Sequence, residues 1–165
     1  MNDDNDGQNL VIERTLDAPP ELIWKMWTEP EHFAAWYGPG GAAIPVVSMD
    51  VRVGGTRLLC MEVPTPDGPM RMWFAGEYLE VVENQRLVYT DAVSDEQGNV
   101  KSPEQMGMPE GHPTTTEVRL ELERVGDGTR MVLTHLGVPA GSPGAAGWAR
   151  ALDKLAASLD VARRS

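Results

Sequence analysis

The sequence predicts an α+β domain that combines a seven-stranded antiparallel sheet, two short helices after the first strand and one long C-terminal helix. Three observations support this prediction. Apolar and polar residues alternate in seven short segments, as they do in half-buried strands. In residues 19–36 and 141–161 the apolar residues recur every three or four positions, as they do in amphipathic helices. Six of the strands follow one another without an intervening helix, which favours α+β over α/β.

The first strand and the two short helices occupy residues 10–36. The stretch from Leu10 to Leu16 alternates like a strand. Asp17 suits an N-cap, and the prolines at 19 and 20 lie where the first helical turn tolerates a missing N–H donor. A capping-box pattern, Thr28 to Glu31, predicts the start of the second helix, and the glycines of residues 38–41 end it.

Six further strands are separated by turns rich in Gly, Pro, Asn and Asp, which predict antiparallel hairpins. Their predicted bounds are Val46–Val51, Thr56–Val63, Met70–Val82, Arg86–Val93, Thr114–Arg124 and Thr129–Leu136. Alternation does not decide which way Cys60, Glu62 and Trp73 face. Gly76 is a candidate for a β-bulge, because a glycine inside a strand often marks one.

The C-terminal segment, from Gly141 to Val161, predicts a helix with a single apolar stripe. It begins with Ser-Pro, which is typical of an N-cap followed by the first helical position. The residues that recur at helical spacing are Trp148, Leu152, Leu155 and Leu159. We expect this stripe to cover the apolar face of the sheet.

Composition restricts the class of protein. The chain has 165 residues, of which 41% are hydrophobic, enough for one domain with a substantial core, and we expect a single domain over residues 9–163. The net charge of −11 disfavours binding to nucleic acid or to anionic lipid. Residues 1–8 read as a disordered acidic tail, and no segment resembles a signal peptide or a membrane anchor. The single Cys60 suits a reducing compartment, so we expect a cytoplasmic protein with no membrane insertion.

Several short motifs, in order, resemble one family. They are Ala18–Trp24 followed by Trp36, Asp50–Gly55, Pro66–Gly68, Gly76–Val82 with Arg86 and Leu87, and Gly147 and Trp148 with Leu152–Leu155. Together they resemble the START-like, or SRPBCC, superfamily with its helix-grip fold. Within it, they are similar to the bacterial branch related to the C-terminal domain of the activator of heat-shock-protein-90 ATPase.

The resemblance implies an apolar cavity between a curved sheet and the C-terminal helix that it wraps. We expect the short helices to close one side of the cavity with Trp24, Trp27 and Trp36. The other expected ligand-binding residues are Met49, Met61, Phe74 and Tyr89 on the sheet wall, and Trp148 and Leu152 on the helix wall. Tyr89 could also supply a polar anchor.

No motif for catalysis, metal or cofactor binding is found in the sequence. The three histidines, His32, His112 and His135, lack the spacing of a two-ligand metal motif, so we expect no metal and no cofactor. No nucleophile elbow is present, and an enzyme is not favoured. A weak cyclase or hydrolase-like activity in the cavity would need a carboxylate such as Glu62, or His135, to face it.

The first hypothesis is therefore a binding protein for an apolar or amphipathic small molecule. The alternative is a stress-response or chaperone-associated interaction module with a chaperone or regulator as its partner. Such domains can also form homodimers, and the sequence does not decide this. The long connection from Ser94 to Pro113 is either a lid or a mobile loop.

Overall fold

The structure is a computed structural model, and it describes residues 9–38, 41–102, 104, 115–138 and 143–164. Seven strands and three helices form in this part of the chain. In chain order they are β1 (Asn9–Leu16), α1 (Pro20–Thr28), α2 (Pro30–Trp36), β2 (Ala43–Met49), β3 (Thr56–Val63), β4 (Met70–Val82), β5 (Arg86–Ser94), β6 (Thr115–Val125), β7 (Gly128–Leu136) and α3 (Pro143–Arg164). The predicted tail, residues 1–8, and most of the second half of the connection from Ser94 to Pro113 lie outside the described residues.

The strands form one antiparallel sheet in the order β1-β7-β6-β5-β4-β3-β2. Each strand from β2 to β7 pairs with its neighbour in sequence, as the predicted hairpins require. The first strand joins the far edge beside β7, where Asn9 pairs with Leu136 and Leu16 with Thr129. The predicted α+β helix-grip fold is confirmed, with a seven-stranded sheet and a C-terminal helix in the expected order.

The bounds of β2 differ from the prediction, because the strand runs from Ala43 to Met49 and not from Val46 to Val51. Pro45 lies inside it, and the register with β3 shifts between Ala43 and Val46. A proline is tolerated here because β2 is an edge strand, so one side of its backbone needs no ladder hydrogen bonds.

The starts of the short helices also differ from the prediction. The N-cap of α1 is Pro19 and not Asp17, and the N-cap of α2 is Glu29, in both cases without a side-chain capping bond. The Thr28 hydroxyl instead donates to the Trp24 carbonyl oxygen at 2.8 Å, so it closes the end of α1. The two helices share one tight corner, which leaves no room for a separate capping box.

The concave face of the sheet, the two short helices and α3 enclose the core. The largest of its fully buried side chains include Trp27, Trp36, Tyr78, Tyr89, Phe33 and Leu133. The predicted stripe of α3 lies in this core, since Trp148, Leu152, Leu155 and Leu159 are all buried. None of the helices in the described residues is both long enough and apolar enough to cross a membrane.

Strand register settles the facing of three residues that alternation left open. Met61 pairs with Met72 and Leu59 with Phe74, and these residues share the concave face. Cys60, Trp73 and Glu62 therefore project from the opposite face.

The predicted bulge site was wrong. The register between β4 and β5 shifts between Tyr78 and Glu80, not at Gly76. Gly76 serves close packing instead, because a Cβ there would lie 1.8 Å from the backbone oxygen of Thr90.

Candidate functional site

A cavity of about 270 Å³ lies between the concave face of the sheet and α3. It is bounded by the sheet, by the end of α2 and by the first turns of α3. The lining residues are Tyr37, Gly38, Met61, Met72, Phe74, Asp91, His135, Val138, Gly147, Trp148 and Ala151. Most of these side chains are apolar, and the polar exceptions are Asp91 on β5, His135 on β7 and the hydroxyl of Tyr37, which follows α2.

Three of the predicted ligand-binding residues, Met61, Phe74 and Trp148, line this cavity. Trp148 forms part of the helix wall, and the other two belong to the sheet wall, on the neighbouring strands β3 and β4. The predicted sheet and helix walls therefore meet at one cavity.

The other six predicted residues lie outside this lining. Trp24, Trp27, Trp36, Tyr89 and Leu152 are buried in the core, and Met49 is half-buried on the edge strand β2. The reason is that α3 occupies the middle of the concave face and takes up the space beside the short helices.

The tryptophans of the short helices pack against one another and against α3. The ring centroids of Trp27 and Trp148 are 5.9 Å apart in a stacked arrangement, and those of Trp27 and Trp36 are 4.8 Å apart. The Trp36 indole N–H donates to the Met26 carbonyl oxygen at 2.8 Å, which ties α2 to α1. This aromatic layer supports the cavity wall from behind, because Trp148 contacts the layer on one side and the cavity on the other.

A buried ion pair crosses the sheet at one end of the cavity. The Arg57 Nη1 atom of β3 lies 3.4 Å from the Asp91 Oδ1 atom of β5, and the Arg57 side chain is 1% exposed. The pairing of Ala75 with Ala92 and of Tyr78 with Tyr89 places Gly76 between the two charges. Gly76 brings no side chain to the strand that separates them, so Arg57 can reach over β4.

Aromatic rings surround the guanidinium of Arg57. Its central carbon lies 3.9 Å from the ring centroid of Tyr89, 5.5 Å from that of Phe33 and 6.0 Å from that of Tyr78. Cation–π attraction is strongest when the cation is desolvated, as it is here. Among the described residues, the Nε and Nη2 atoms of Arg57 have no hydrogen-bond partner.

Burial raises the pKa of Asp91 from its ordinary value of 3.8 to about 6, even though the positive charge of Arg57 acts to lower it. Desolvation is the larger effect, because this carboxylate is removed from water at the base of a mainly apolar cavity. Asp91 is therefore mostly ionised at neutral pH and largely neutral below its raised pKa.

A second polar group, His135, is held by a directed chain of hydrogen bonds. The Trp148 indole N–H donates to His135 Nδ1 at 2.8 Å, so the ring proton sits on Nε2. His135 Nε2 then donates to the Thr116 hydroxyl at 2.7 Å. That hydroxyl in turn donates to the backbone carbonyl oxygen of Asp91 at 3.2 Å. Burial lowers the pKa of His135 to about 4, so the ring is neutral.

This arrangement suits binding better than proton transfer. Both ring nitrogens of His135 are occupied, and Glu62 faces away from the cavity, where Arg71 donates to its carboxylate at 2.9 Å. Within the described residues, no group of three or more His, Cys, Asp or Glu side chains is placed to hold a metal ion. Cys60 is fully buried, and desolvation raises its thiol pKa, so it is not an activated nucleophile.

Sequence reasoning missed the Arg57–Asp91 pair. The signal was present, since Asp91 shares the strand parity of Leu87 and Tyr89, and Arg57 shares that of Leu59. Two opposite charges on inward-facing positions indicate a buried pair, but the two strands are not adjacent. Only the sheet order shows that a glycine lies between them.

A family model described as Activator of Hsp90 ATPase homolog 1-like protein matches residues 17–160. The chain belongs to this family. The match includes every element that lines the cavity, from α2 to α3. Among curated proteins, no sequence matches the chain.

Solved structures of bacterial proteins share the fold. A protein from Chromobacterium violaceum is 26% identical with a TM-score of 0.74, and the match covers 93% of this chain and 97% of that one. A protein from Nitrosomonas europaea is 23% identical with a TM-score of 0.74, covering 96% and 98%. The AHSA1 protein from Silicibacter pomeroyi is 22% identical with a TM-score of 0.68, covering 93% and 98%. Membership of the family supports a module that binds a ligand or interacts with a partner.

Proposed function

We propose that the protein binds a small apolar or amphipathic molecule in the cavity between the sheet and α3. The observation that carries the proposal is the cavity itself, about 270 Å³ with mainly apolar walls. Protein interiors are otherwise close-packed, with few voids larger than a water molecule. An apolar cavity of about 150 Å³ admits benzene, and typical ligand pockets begin near about 300 Å³. The expected ligand is therefore the size of one or two fused rings.

The walls suit an apolar body of variable shape. Met61 and Met72 pair across β3 and β4, and their flexible thioethers can adjust to a ligand. Phe74 and Trp148 add rigid aromatic surface on the sheet and helix sides.

The proposal can be tested by filling the cavity. Ala151 lines it and is 2% exposed, so Ala151→Leu would place three more carbon atoms in the space where a ligand would sit. Ala146 is exposed on the same helix, so Ala146→Leu makes the same chemical change outside the cavity. Naphthol is the probe, and its binding is followed by the shift in Tm.

At about 100 times its Kd a ligand stabilises the folded state by about 2.7 kcal/mol. We therefore expect naphthol to raise the Tm of the wild type and of Ala146→Leu by several degrees, and that of Ala151→Leu by much less. Equal Tm shifts in the two variants would contradict binding in this cavity.

Native mass spectrometry of freshly purified protein would test for a copurified ligand.

The alternative, a chaperone-associated interaction module, is favoured by a separate groove between the short helices and α3. This groove has a volume of about 410 Å³ and is lined by Met26, His32, Ala35, Ala157, Ser158 and Val161. The test is the rate of ATP hydrolysis by an Hsp90 chaperone with and without the protein. Ala35→Glu, which places a charge in the groove, should abolish any stimulation, and Ala151→Leu should leave it unchanged.

A further inference from the structure

The polar end of the cavity is formed by the carboxylate of Asp91 and not by its partner Arg57. Asp91 is among the lining residues and its side chain is 11% exposed, whereas Arg57 is 1% exposed and lies behind it against Tyr89. A molecule in the cavity would therefore meet a hydrogen-bond acceptor first.

One oxygen of that carboxylate is unused. Oδ1 of Asp91 faces Arg57, whereas no side chain or backbone N–H among the described residues donates to Oδ2. An ionised carboxylate in a mainly apolar site favours a donor strongly, because leaving it without hydrogen bonds is costly. The other polar side chain on this wall, His135, is already occupied at both ring nitrogens.

The surrounding charges restrict the ligand further. The guanidinium of Arg57, 3.4 Å from Oδ1, already balances the charge of Asp91, so a cationic ligand would bury one uncompensated positive charge in a mainly apolar cavity. An anionic ligand would meet both the carboxylate and a chain with a net charge of −11. With cationic and anionic ligands both disfavoured, the cavity is best suited to a neutral ligand.

We propose that the cavity selects neutral molecules whose apolar body carries a hydroxyl, a phenol or an N–H group that donates to Oδ2 of Asp91. This inference rests on the binding function proposed above and names the chemical class of its ligand. The ring system packs between Met61, Phe74 and Trp148, and the donor points toward β5.

Three probes of similar size separate the alternatives. Naphthol carries a donor, methoxynaphthalene carries only an acceptor, and naphthoate carries a negative charge. Their Kd values are measured at neutral pH by calorimetry, with quenching of tryptophan fluorescence as a second readout, since Trp148 lines the cavity. A hydrogen bond to a charged group corresponds to a factor of about 10 or more in affinity, so naphthol should bind about 10-fold more tightly than methoxynaphthalene. Naphthoate should bind most weakly.

Two variants assign this preference to one side chain. Asp91→Asn replaces the charged acceptor by a neutral one, and the preference for naphthol should fall to within about 2-fold, as expected when the charge assistance is lost. Glu62→Gln makes the same change to a carboxylate on the opposite face of the sheet, and the preference should stay as in the wild type. Near-UV circular dichroism checks that both variants fold. Because Asp91→Asn leaves Arg57 buried without its partner, the wild-type ratios decide the question if that variant does not fold.

The outcomes separate the two proposals. Equal affinity for naphthol and methoxynaphthalene, or an unchanged preference in folded Asp91→Asn, would overturn donor selection while leaving the binding function intact. Tightest binding of naphthoate would overturn it in favour of Arg57 as an anion site. Failure of all three probes to bind would remove the proposed binding function and this inference with it.

Discussion

At the scale of single residues, the charge state of the cavity depends on two groups whose pKa values burial shifts in opposite directions. The pKa of Asp91 rises from 3.8 to about 6, and that of His135 falls from 6.5 to about 4. Both changes favour the neutral form, because each group sits in a site that disfavours charge. Apart from His135, the charged and titratable groups around Asp91 are Arg57, Tyr37 and Tyr89, whose pKa values lie well above this pH range.

These shifts predict opposing effects of pH on stability. Between about pH 4 and 6 the folded state holds a proton on Asp91 that the unfolded chain has lost, so this group makes the free energy of unfolding fall as pH rises. Between about pH 4 and 6.5 the unfolded chain protonates His135 and the folded state does not, so that group makes it rise. Each proton contributes at most about 1.4 kcal/mol per pH unit, so the two effects largely cancel in the wild type.

Single substitutions should reveal each effect. Relative to the wild type, Asp91→Asn should show a free energy of unfolding that rises more steeply with pH from about 4 to 6, because the opposing contribution of the Asp91 proton is lost. His135→Gln should show the reverse trend. The measurement is urea unfolding at several pH values, and the exposed carboxylates cancel in the comparison because all three proteins share them. Parallel curves would contradict the assigned shifts.

At the scale of elements, two glycines have opposite roles in building the cavity. Gly76 lies inside β4, where a Cβ would meet the Thr90 backbone oxygen at 1.8 Å. Gly147 lies in the first half of α3 and lines the cavity, and a Cβ there would meet no atom within 4 Å. The first glycine is required by strand packing, whereas the second leaves space open.

Alanine substitutions should therefore act in opposite directions. Gly76→Ala should destabilise the protein by about 3 kcal/mol, because β4 and β5 must separate to relieve the clash. Gly147→Ala should stabilise it by about 0.5–1 kcal/mol, because alanine is the better helix former. Chemical unfolding measures both, and each variant serves as the control for the other. A stable Gly76→Ala would show that the two strands can separate at little cost.

At the scale of the whole molecule, the excess of acidic residues gives the protein a negative net field. Many of the basic residues are already paired at the surface, as with Arg130 and Glu13 at 2.6 Å and Arg124 and Glu21 at 2.8 Å. Surface pairs of this kind contribute little to stability, about 0–1 kcal/mol each. The net charge of −11 acts mainly on charged molecules that approach from solvent.

Ionic strength should therefore affect ligands according to their charge. Raising it from about 0.01 M to about 0.1 M shortens the Debye length from about 30 Å to about 10 Å. The Kd of naphthol should stay constant, and that of naphthoate should fall as repulsion is screened. Calorimetry at both salt concentrations tests this, with naphthol as the neutral control. Weaker binding of naphthoate at the higher salt concentration would indicate that a cationic group governs entry.

Much of the architecture followed from local patterns. The alternation of β6 and the apolar stripe of α3 were sufficient to predict both elements, because such patterns are produced by contact with a single core. Element ends were less predictable. The Thr28 hydroxyl closes α1 instead of capping α2, and that choice depends on how the two helices meet.

By itself, the sequence determined the α+β class, the order of the elements and the family, since periodicity, turn residues and short motifs are local properties of the chain. The tertiary structure decided which side chains meet in the cavity. Arg57 and Asp91 lie on strands that are not neighbours, and their contact exists because β4 passes between them with a glycine at the crossing point. Trp27 and Trp36 pack behind the wall, because α3 fills the space in front of them.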